Sequence, residues 1–484
     1  MPKTTAVITA EPGETAIARP GSRAAYRGKT LVGRDRALET DSFETGLNNN
    51  MLVIGPSGAG KTRHVLKPNL LQMGSSFIVL DTKGALCRDM GPVLVQSGYK
   101  VERLDFASVS GEPGPLPAGV MNSGYDPLAF IRRDAHGRPN QQDILSVAKA
   151  ISPVESHQDP FWDNSAASLL AALIAYVMEE LPRREQNFSA VIELADHLQD
   201  GAAFRLLDDL EISDPLSFAC SMYRRYAGVM EAEKTNAGIL GFVAEKLMCL
   251  GFDGALRLYT APHQVDFARF GHERRALFVT VSDIDRSLDP LVSLFVDQAF
   301  KALVREADRC QGGRLPLPVR LLLDDFANLY IRNIDDVLSI VRSREVWVTL
   351  LLQSVNQLEA RYGRPRAMSI MSNCDTQLVL GFQDLDTAQC FAERADRMPK
   401  TLLEMPAGRA WLFVRGRRAE EVESCRLEEH PRYAELVAAA SAPLETLEQP
   451  ARGEQRGARA AFCSDSDDLG IIPVLGSNCD GVPF

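Results

Sequence analysis

Short apolar runs alternate with helical periods in two separate parts of the chain. In the first part the runs are Met51–Ile54, 77–80 and 101–104, with helical spacing over 62–73 and 86–97. Runs that are apolar throughout, rather than at every second residue, belong to a parallel sheet covered on both faces. The pattern returns with runs at 276–281, 317–323, 347–352, 377–381 and 410–414, and with helices over 290–306 and 334–341. Between the two parts, 141–255 carries helical period alone, in segments 141–151, 164–180, 188–198, 202–210, 216–230 and 235–250. An all-helical insert inside an α/β domain is the simplest arrangement of these elements.

The ends lack period. Residues 1–45, rich in Ala, Gly, Thr and charge, predict a loosely ordered, flexible arm. A Pro- and Gly-rich stretch, 111–119, reads as a loop. The Ala-, Gly-, Ser- and Asp-rich end, with Asp465, Asp467 and Asp468, predicts a disordered acidic tail. The expected division is an arm over 1–45, the first part of a nucleotide-binding domain over 46–182, an all-α domain over 183–255, the second part over 256–438, and a tail over 439–484.

The first apolar run feeds directly into Gly55-Pro-Ser-Gly-Ala-Gly-Lys-Thr62, a G-x-x-x-x-G-K-T string. A buried strand, a glycine turn and a helix start near Lys61 are the context this string needs. The turn's N–H groups from Gly55, Ser57, Gly58, Ala59 and Gly60 would close around phosphate oxygens, with the helix N-terminus adding its positive end. Lys61 would reach the β- and γ-phosphates, and Thr62 would ligate Mg2+. The chain is expected to bind a nucleoside triphosphate, or to descend from one that did.

Composition narrows the class. The 484 residues exceed one ordinary core, and 45% hydrophobic with 24% charged residues suit a globular protein. A net charge of -11 argues against a surface that wraps nucleic acid, though not against a confined basic channel. Nine cysteines without a C-x-x-C pair suit reduced thiols better than a disulfide frame or a zinc site. The most apolar stretch, 166–178, is too short to span a bilayer and reads as a buried helix. No signal peptide or membrane-spanning segment is expected.

Three further pieces fit a hydrolytic site. In Arg320-Leu-Leu-Leu-Asp-Asp-Phe-Ala327 an apolar run ends in two acids, delivered at the carboxyl edge of a sheet, where ligands bind. Asp324 would hold Mg2+ through water, and Asp325 would orient or deprotonate the attacking water. The plainer reading is an Asp helix cap. Gln353 ends another apolar run and can position water; an ordinary strand end is its plainer reading. Arg342 and Arg344 offer guanidinium groups for a transferring phosphoryl, acting in trans if subunits form a ring; a solvated basic helix end is the alternative.

With these residues in place, the chain resembles the cytosolic part of the VirD4/TraG-type coupling proteins of type IV secretion and conjugation, over most of 45–430. The strings that carry the resemblance are Thr45-Gly-Leu-Asn-Asn-Asn50, the phosphate loop running into Lys67-Pro-Asn-Leu70, Val79-Leu-Asp-Thr-Lys-Gly84, Tyr125-Asp-Pro-Leu128 and Asp159-Pro-Phe-Trp162. Downstream come Leu322-Leu-Asp-Asp-Phe-Ala327, Arg342-Ser-Arg-Glu345, Gln353-Ser-Val-Asn-Gln-Leu358, Tyr362-Gly363 and Asn373-Cys-Asp375. The resemblance implies a RecA-like P-loop NTPase domain interrupted by an all-α domain. It implies an ATP- and Mg2+-dependent homohexamer with nucleotide between subunits. It also implies a relaxase-bound single DNA strand, or secreted proteins, as cargo for a secretion channel. Arg342 falls where the family supplies an arginine to a neighbour's site.

Three departures stand out. Family members usually begin with membrane helices; the open readings here are a soluble form, a truncated one, or one with a separate membrane partner, with a place in the cytoplasm or at the inner face of the membrane. Lys83-Gly84-Ala85 replaces the common Lys-Gly-Glu, and Asp324-Asp325 replaces Asp-Glu, which shortens the presumed base by one methylene. The competing functions are a weakly hydrolysing or non-hydrolysing recruitment module and a DNA-partition or packaging pump of the same motor class.

Overall fold

The computed structural model describes residues 28–82, 84–108, 114–153, 160–282, 284–440 and 444–445. Lys83, Asp159 and the acidic cluster Asp465, Asp467 and Asp468 lie outside them, as does most of the 439–484 segment.

Among the described residues fourteen strands organise the fold: β1 (Lys29–Gly33), β2 (Arg36–Glu39), β3 (Met51–Ile54), β4 (Ser76–Asp81), β5 (Lys100–Asp105), β6 (Leu116–Pro117), β7 (Val120–Asn122), β8 (Arg275–Thr280), β9 (Val319–Leu323), β10 (Val346–Leu352), β11 (Thr376–Val379), β12 (Arg409–Val414), β13 (Glu420–Glu423) and β14 (Leu444–Glu445). Ten of them form one sheet in the order β13-β12-β11-β3-β10-β9-β4-β8-β5-β7. Every pairing from β11 to β7 is parallel, and β12 and β13 close one edge antiparallel. The phosphate-loop strand β3 is therefore central, with β10 and then β9 beside it.

The apolar strands are buried on both faces, as their composition requires. Leu52, Ile54, Ile78 and Leu80 join the core under the long helices, and Met51, Val53, Phe77 and Val79 join a second core on the opposite face. Helices Lys67–Leu71 and Ala85–Gln96 cover that second face, contributing Leu70, Leu71, Met90 and Leu94. Helices Gln141–Ile151 and Asp289–Arg309 pack on each other over the first, where the Tyr125 hydroxyl donates to Gln298 Oε1 at 2.7 Å.

Helices run without an intervening main-sheet strand from Gln141 to Tyr259. The 20-residue helix Phe161–Glu180 is long and apolar enough to cross a membrane by composition, but it is a core helix, packed against Phe218–Met230 and Glu233–Met248. A helix apolar on all sides needs cover on all sides. The helical body as packed thus includes Phe161–Glu180, upstream of the expected boundary at 183. Pro182 ends this helix rather than separating domains.

The expected flexible arm over 1–45 also needs correcting, from residue 28 onward. β1 and β2 form a hairpin tied down by distant residues. The Leu31 N–H donates to Asn69 Oδ1 at 2.9 Å, and Asn69 Nδ2 returns a bond to Leu31 O at 3.0 Å. Arg320 Nη2 donates to Thr30 Oγ1 at 2.7 Å, and Arg34 pairs with Glu423 and Glu429. These partners lie up to 395 residues away in sequence, so no local pattern announces them.

Candidate functional site

The carboxyl ends of β3, β10 and β9 lie side by side, with Ile54 paired to Leu352 and Leu350 to Leu323. Each strand end delivers one piece of the site. From β3, the Gly55 N–H donates to Leu352 O at 3.1 Å before the loop turns away. Ser57 and Gly58 stand exposed at its top. Gly60 adopts φ +84°, and a Cβ there would stand 2.3 Å from His64 Cδ2, so only glycine fits. His64 is held in that position by a 2.7 Å contact between Nδ1 and Cys425 O. The helix begins at Thr62 with a turn widened by one residue, Lys67 N–H reaching Thr62 O, and continues as Lys67–Leu71.

Lys61 Nζ donates to Gly55 O at 2.7 Å and to Pro56 O at 3.4 Å, folding back over the loop it closes. Burial lowers its pKa, against the pull of Asp324 and Asp325. Thr62 Oγ1 donates to Asp324 Oδ2 at 3.4 Å. Asp324, at the end of β9, is buried, and its carboxyl is pushed up to about 6 by desolvation first and by the neighbouring Asp325 second. The Asp325 N–H donates to Asp324 Oδ1 at 3.0 Å. Asp325 itself takes a left-handed conformation, φ 47°, uncommon for a residue with a Cβ and a mark of strain that recurs at functional sites. From β10, Gln353 Nε2 donates to Asp325 Oδ1 at 3.4 Å.

Gly55, Lys61, Thr62, Asp324, Asp325 and Gln353 are therefore brought together at one edge. Arg342 is not with them. It lies on the turn Val341–Arg344, which enters the amino end of β10, at the opposite edge of the sheet. There its Nη2 donates to Gly46 O at 3.0 Å. Arg344 pairs with Asp308 at 3.0 Å. Among the described residues, no contact links Arg342 to the phosphate loop.

Two features escaped the sequence reading. Gln357, one turn into the helix Val355–Tyr362 capped by Ser354, donates to Gln353 Oε1 at 3.5 Å; the i, i+4 glutamine spacing was the available signal. Beside Thr62 a cleft of about 530 Å³ opens between the phosphate-loop helix and the C-terminal segment, lined among others by Arg63, Lys67, Asp89, Tyr433 and Leu436. No motif in 427–440 announced that second wall.

The geometry has known counterparts. The plasmid coupling protein TrwB, in complex with the non-hydrolysable ATP analogue ADPNP, aligns with a TM-score of 0.58 at 18% identity, covering 79% of this chain and 86% of that one. VirB4 of Thermoanaerobacter pseudethanolicus aligns with a TM-score of 0.51 at 13% identity, covering 84% and 97%. At these identities the likeness establishes the fold alone, the RecA-like P-loop NTPase fold. In sequence, the conjugal transfer protein TraG of Escherichia coli is 22% identical over 364 residues, 70% of this chain and 54% of TraG. Protein VirD4 of Rhizobium radiobacter is 23% identical over 356 residues, 71% of this chain and 47% of VirD4. The chain thus spans about half the length of the curated relatives it matches. The family model described as type IV secretory system conjugative DNA transfer matches residues 13–395, and the chain belongs to that family.

Proposed function

We propose that the chain is an ATP-driven coupling protein that hands DNA, as a relaxase-bound single strand, or protein substrates to a type IV secretion channel. The observation that carries this is the convergence of phosphate loop, acid pair and glutamine on three adjacent parallel strands. Family membership supports the cargo class, and the TrwB complexes with ADPNP and with ADP and Mg2+ support the ligand.

The residues fit a magnesium nucleotide. Thr62 Oγ1 and Asp324 Oδ2 face each other at 3.4 Å, one hydroxyl and one carboxylate of the kind that holds Mg2+, and the buried carboxyl gains most from a nearby cation. When bound, magnesium supplies neutralising charge on the phosphates. Lys61 exchanges its carbonyl partners for phosphate oxygens. Loop N–H groups from Gly55, Ser57, Gly58, Ala59 and Gly60 cradle the phosphates. Asp325 orients the attacking water and takes its proton, with Gln353 holding both Asp325 and the water.

Arg342, out of reach of its own loop, completes a neighbour's site, which requires a ring, most simply a homohexamer. DNA then passes along a basic path in the ring's centre, and a separate membrane protein connects the ring to the channel at the inner face of the membrane. A recruitment module with weak or no hydrolysis is the second reading. It is favoured by the short Asp325 side chain, already engaged by Gln353. Phosphate release measured with and without single-stranded DNA separates the two: stimulation supports the motor, and absence of turnover under both conditions supports the module.

A further inference from the structure

Among the described residues, His272, Glu306 and Cys310 form the one group of three or more His, Cys or acidic side chains whose donor atoms all lie within 4.8 Å of one another. They stand at the amino edge of the sheet, away from the nucleotide site. Glu306 lies in the last turn of helix Asp289–Arg309, and Cys310 is its C-cap residue, whose N–H donates to Glu306 O. His272 leaves the turn Phe267–Gly271 just before β8. We propose that this trio binds a zinc-type divalent cation, with water in the fourth position, and that the ion ties the loop entering β8 to the end of the long helix.

The distances suit the ion. Metal–ligand lengths of about 2.0–2.1 Å for nitrogen and 2.3 Å for sulfur place tetrahedral donors about 3.4–3.6 Å apart. His272 Nε2 lies 3.0 Å from Glu306 Oε1 and 4.0 Å from Cys310 Sγ, values that bracket this edge. One thiolate and one carboxylate balance the ion's two charges, and the imidazole stays neutral. Binding releases the thiol proton to solvent. Arg309 reaches only the other carboxylate oxygen, Glu306 Oε2, at 3.5 Å, and leaves Oε1 facing the trio.

The scaffold is set before the ion arrives. Leu317 N–H donates to Gly271 O at 2.9 Å, and a Cβ on Gly271 would stand 2.6 Å from Leu315 Cδ2, so the His272 loop is pressed against the strand entry of β9. The Cys310 N–H donates to the Glu306 and Ala307 carbonyls, fixing the thiol over the helix end. Thiolate and imidazole select zinc over magnesium, so the cation that accompanies nucleotide does not compete.

Cobalt(II) titration of the chelator-treated full chain tests the proposal. The expected result is one equivalent of cobalt giving a thiolate-to-cobalt charge-transfer band, erased by one equivalent of zinc and untouched by excess magnesium. Cys310→Ser removes the band, whereas Cys390→Ser, at another partly exposed thiol, keeps it. His272→Ala and Glu306→Gln weaken zinc binding by more than the roughly 100-fold that marks loss of an outer-shell partner. Circular dichroism confirms that each variant is folded. A parent without the band, a band unchanged in Cys310→Ser, or zinc affinity unchanged in His272→Ala overturns the site in favour of a plain His272–Glu306 ion pair.

Discussion

Asp324→Asn is predicted to stabilise the ligand-free protein while it cripples the magnesium site. Asp324 is buried, and desolvation together with Asp325 raises its carboxyl to about 6 from the 3.8 of an unperturbed aspartate. At roughly 1.4 kcal/mol per pKa unit, the ionised form costs the folded state on the order of 3 kcal/mol. The sign follows from linkage. Below the unfolded value both states are protonated and nothing is lost. As pH rises from there to about 6, the unfolded chain gives up its proton and the folded one does not, so the cost accumulates and is full at neutral pH. Asparagine keeps the shape and still accepts the Asp325 N–H through its oxygen. It carries no charge, so the cost disappears. Thermal unfolding of parent and variant, without nucleotide, at pH 8 and pH 4 reads the effect. The variant melts several degrees higher at pH 8, and the two converge at pH 4. A variant equal to or less stable than the parent at pH 8, or a difference that ignores pH, would refute the electrostatic account of this strand end. Functional sites commonly hold such stability costs for the sake of the ligand they bind.

Other outcomes follow from the same geometry. Gly60→Ala must accept φ +84° and displace His64 from Cys425 O; about 1–2 kcal/mol of backbone strain plus about 1 kcal/mol for the lost hydrogen bond should weaken nucleotide binding by roughly 30- to 150-fold in a fluorescence titration. Asp325→Asn should bind nucleotide yet release phosphate poorly, whereas Asp325→Glu keeps or raises the rate; equal rates for parent and asparagine variant remove Asp325 from the chemistry. Mixing Lys61→Ala chains with Arg342→Ala chains should restore part of the phosphate-release rate that each lacks alone, and no rescue places Arg342 outside the reaction. Because the chain carries a net charge of -11, DNA binding measured at several salt concentrations should show a shallow slope, and a steep one points to an external binding face.

Much of this was legible because the sheet is buried on both faces. Met51–Ile54 and the runs that became β9 and β10 contain almost nothing but apolar side chains, and their ends carry the glycine loop, the acid pair and Gln353. The edge strands were not legible. β2 is Arg-Ala-Leu-Glu and β13 is Glu-Glu-Val-Glu, each too polar to signal a strand; each pairs only with its hairpin neighbour, β1 or β12, and Arg34 of the first hairpin reaches Glu423 of the second across the chain. The hairpin of β1 and β2 depends on Asn69 and Arg320, which no window around residue 30 contains. Arg342 shows the opposite case: the motif is plain in the sequence, but only the strand direction reveals that it faces away from its own phosphate loop. Cysteine spacing looks only along the chain, so it does not show that Cys310 meets in space a histidine 38 residues upstream.

The central claim is that the loop from Gly55 to Thr62, with Asp324, holds a magnesium nucleotide at the carboxyl edge of the sheet. Calorimetric titration of a non-hydrolysable ATP analogue into the parent, Lys61→Ala and Asp324→Asn chains, with and without Mg2+, tests it most directly. The account predicts one site per chain in the parent, loss of binding in Lys61→Ala, and loss of the magnesium dependence in Asp324→Asn. Equal, magnesium-dependent binding by all three chains would contradict it.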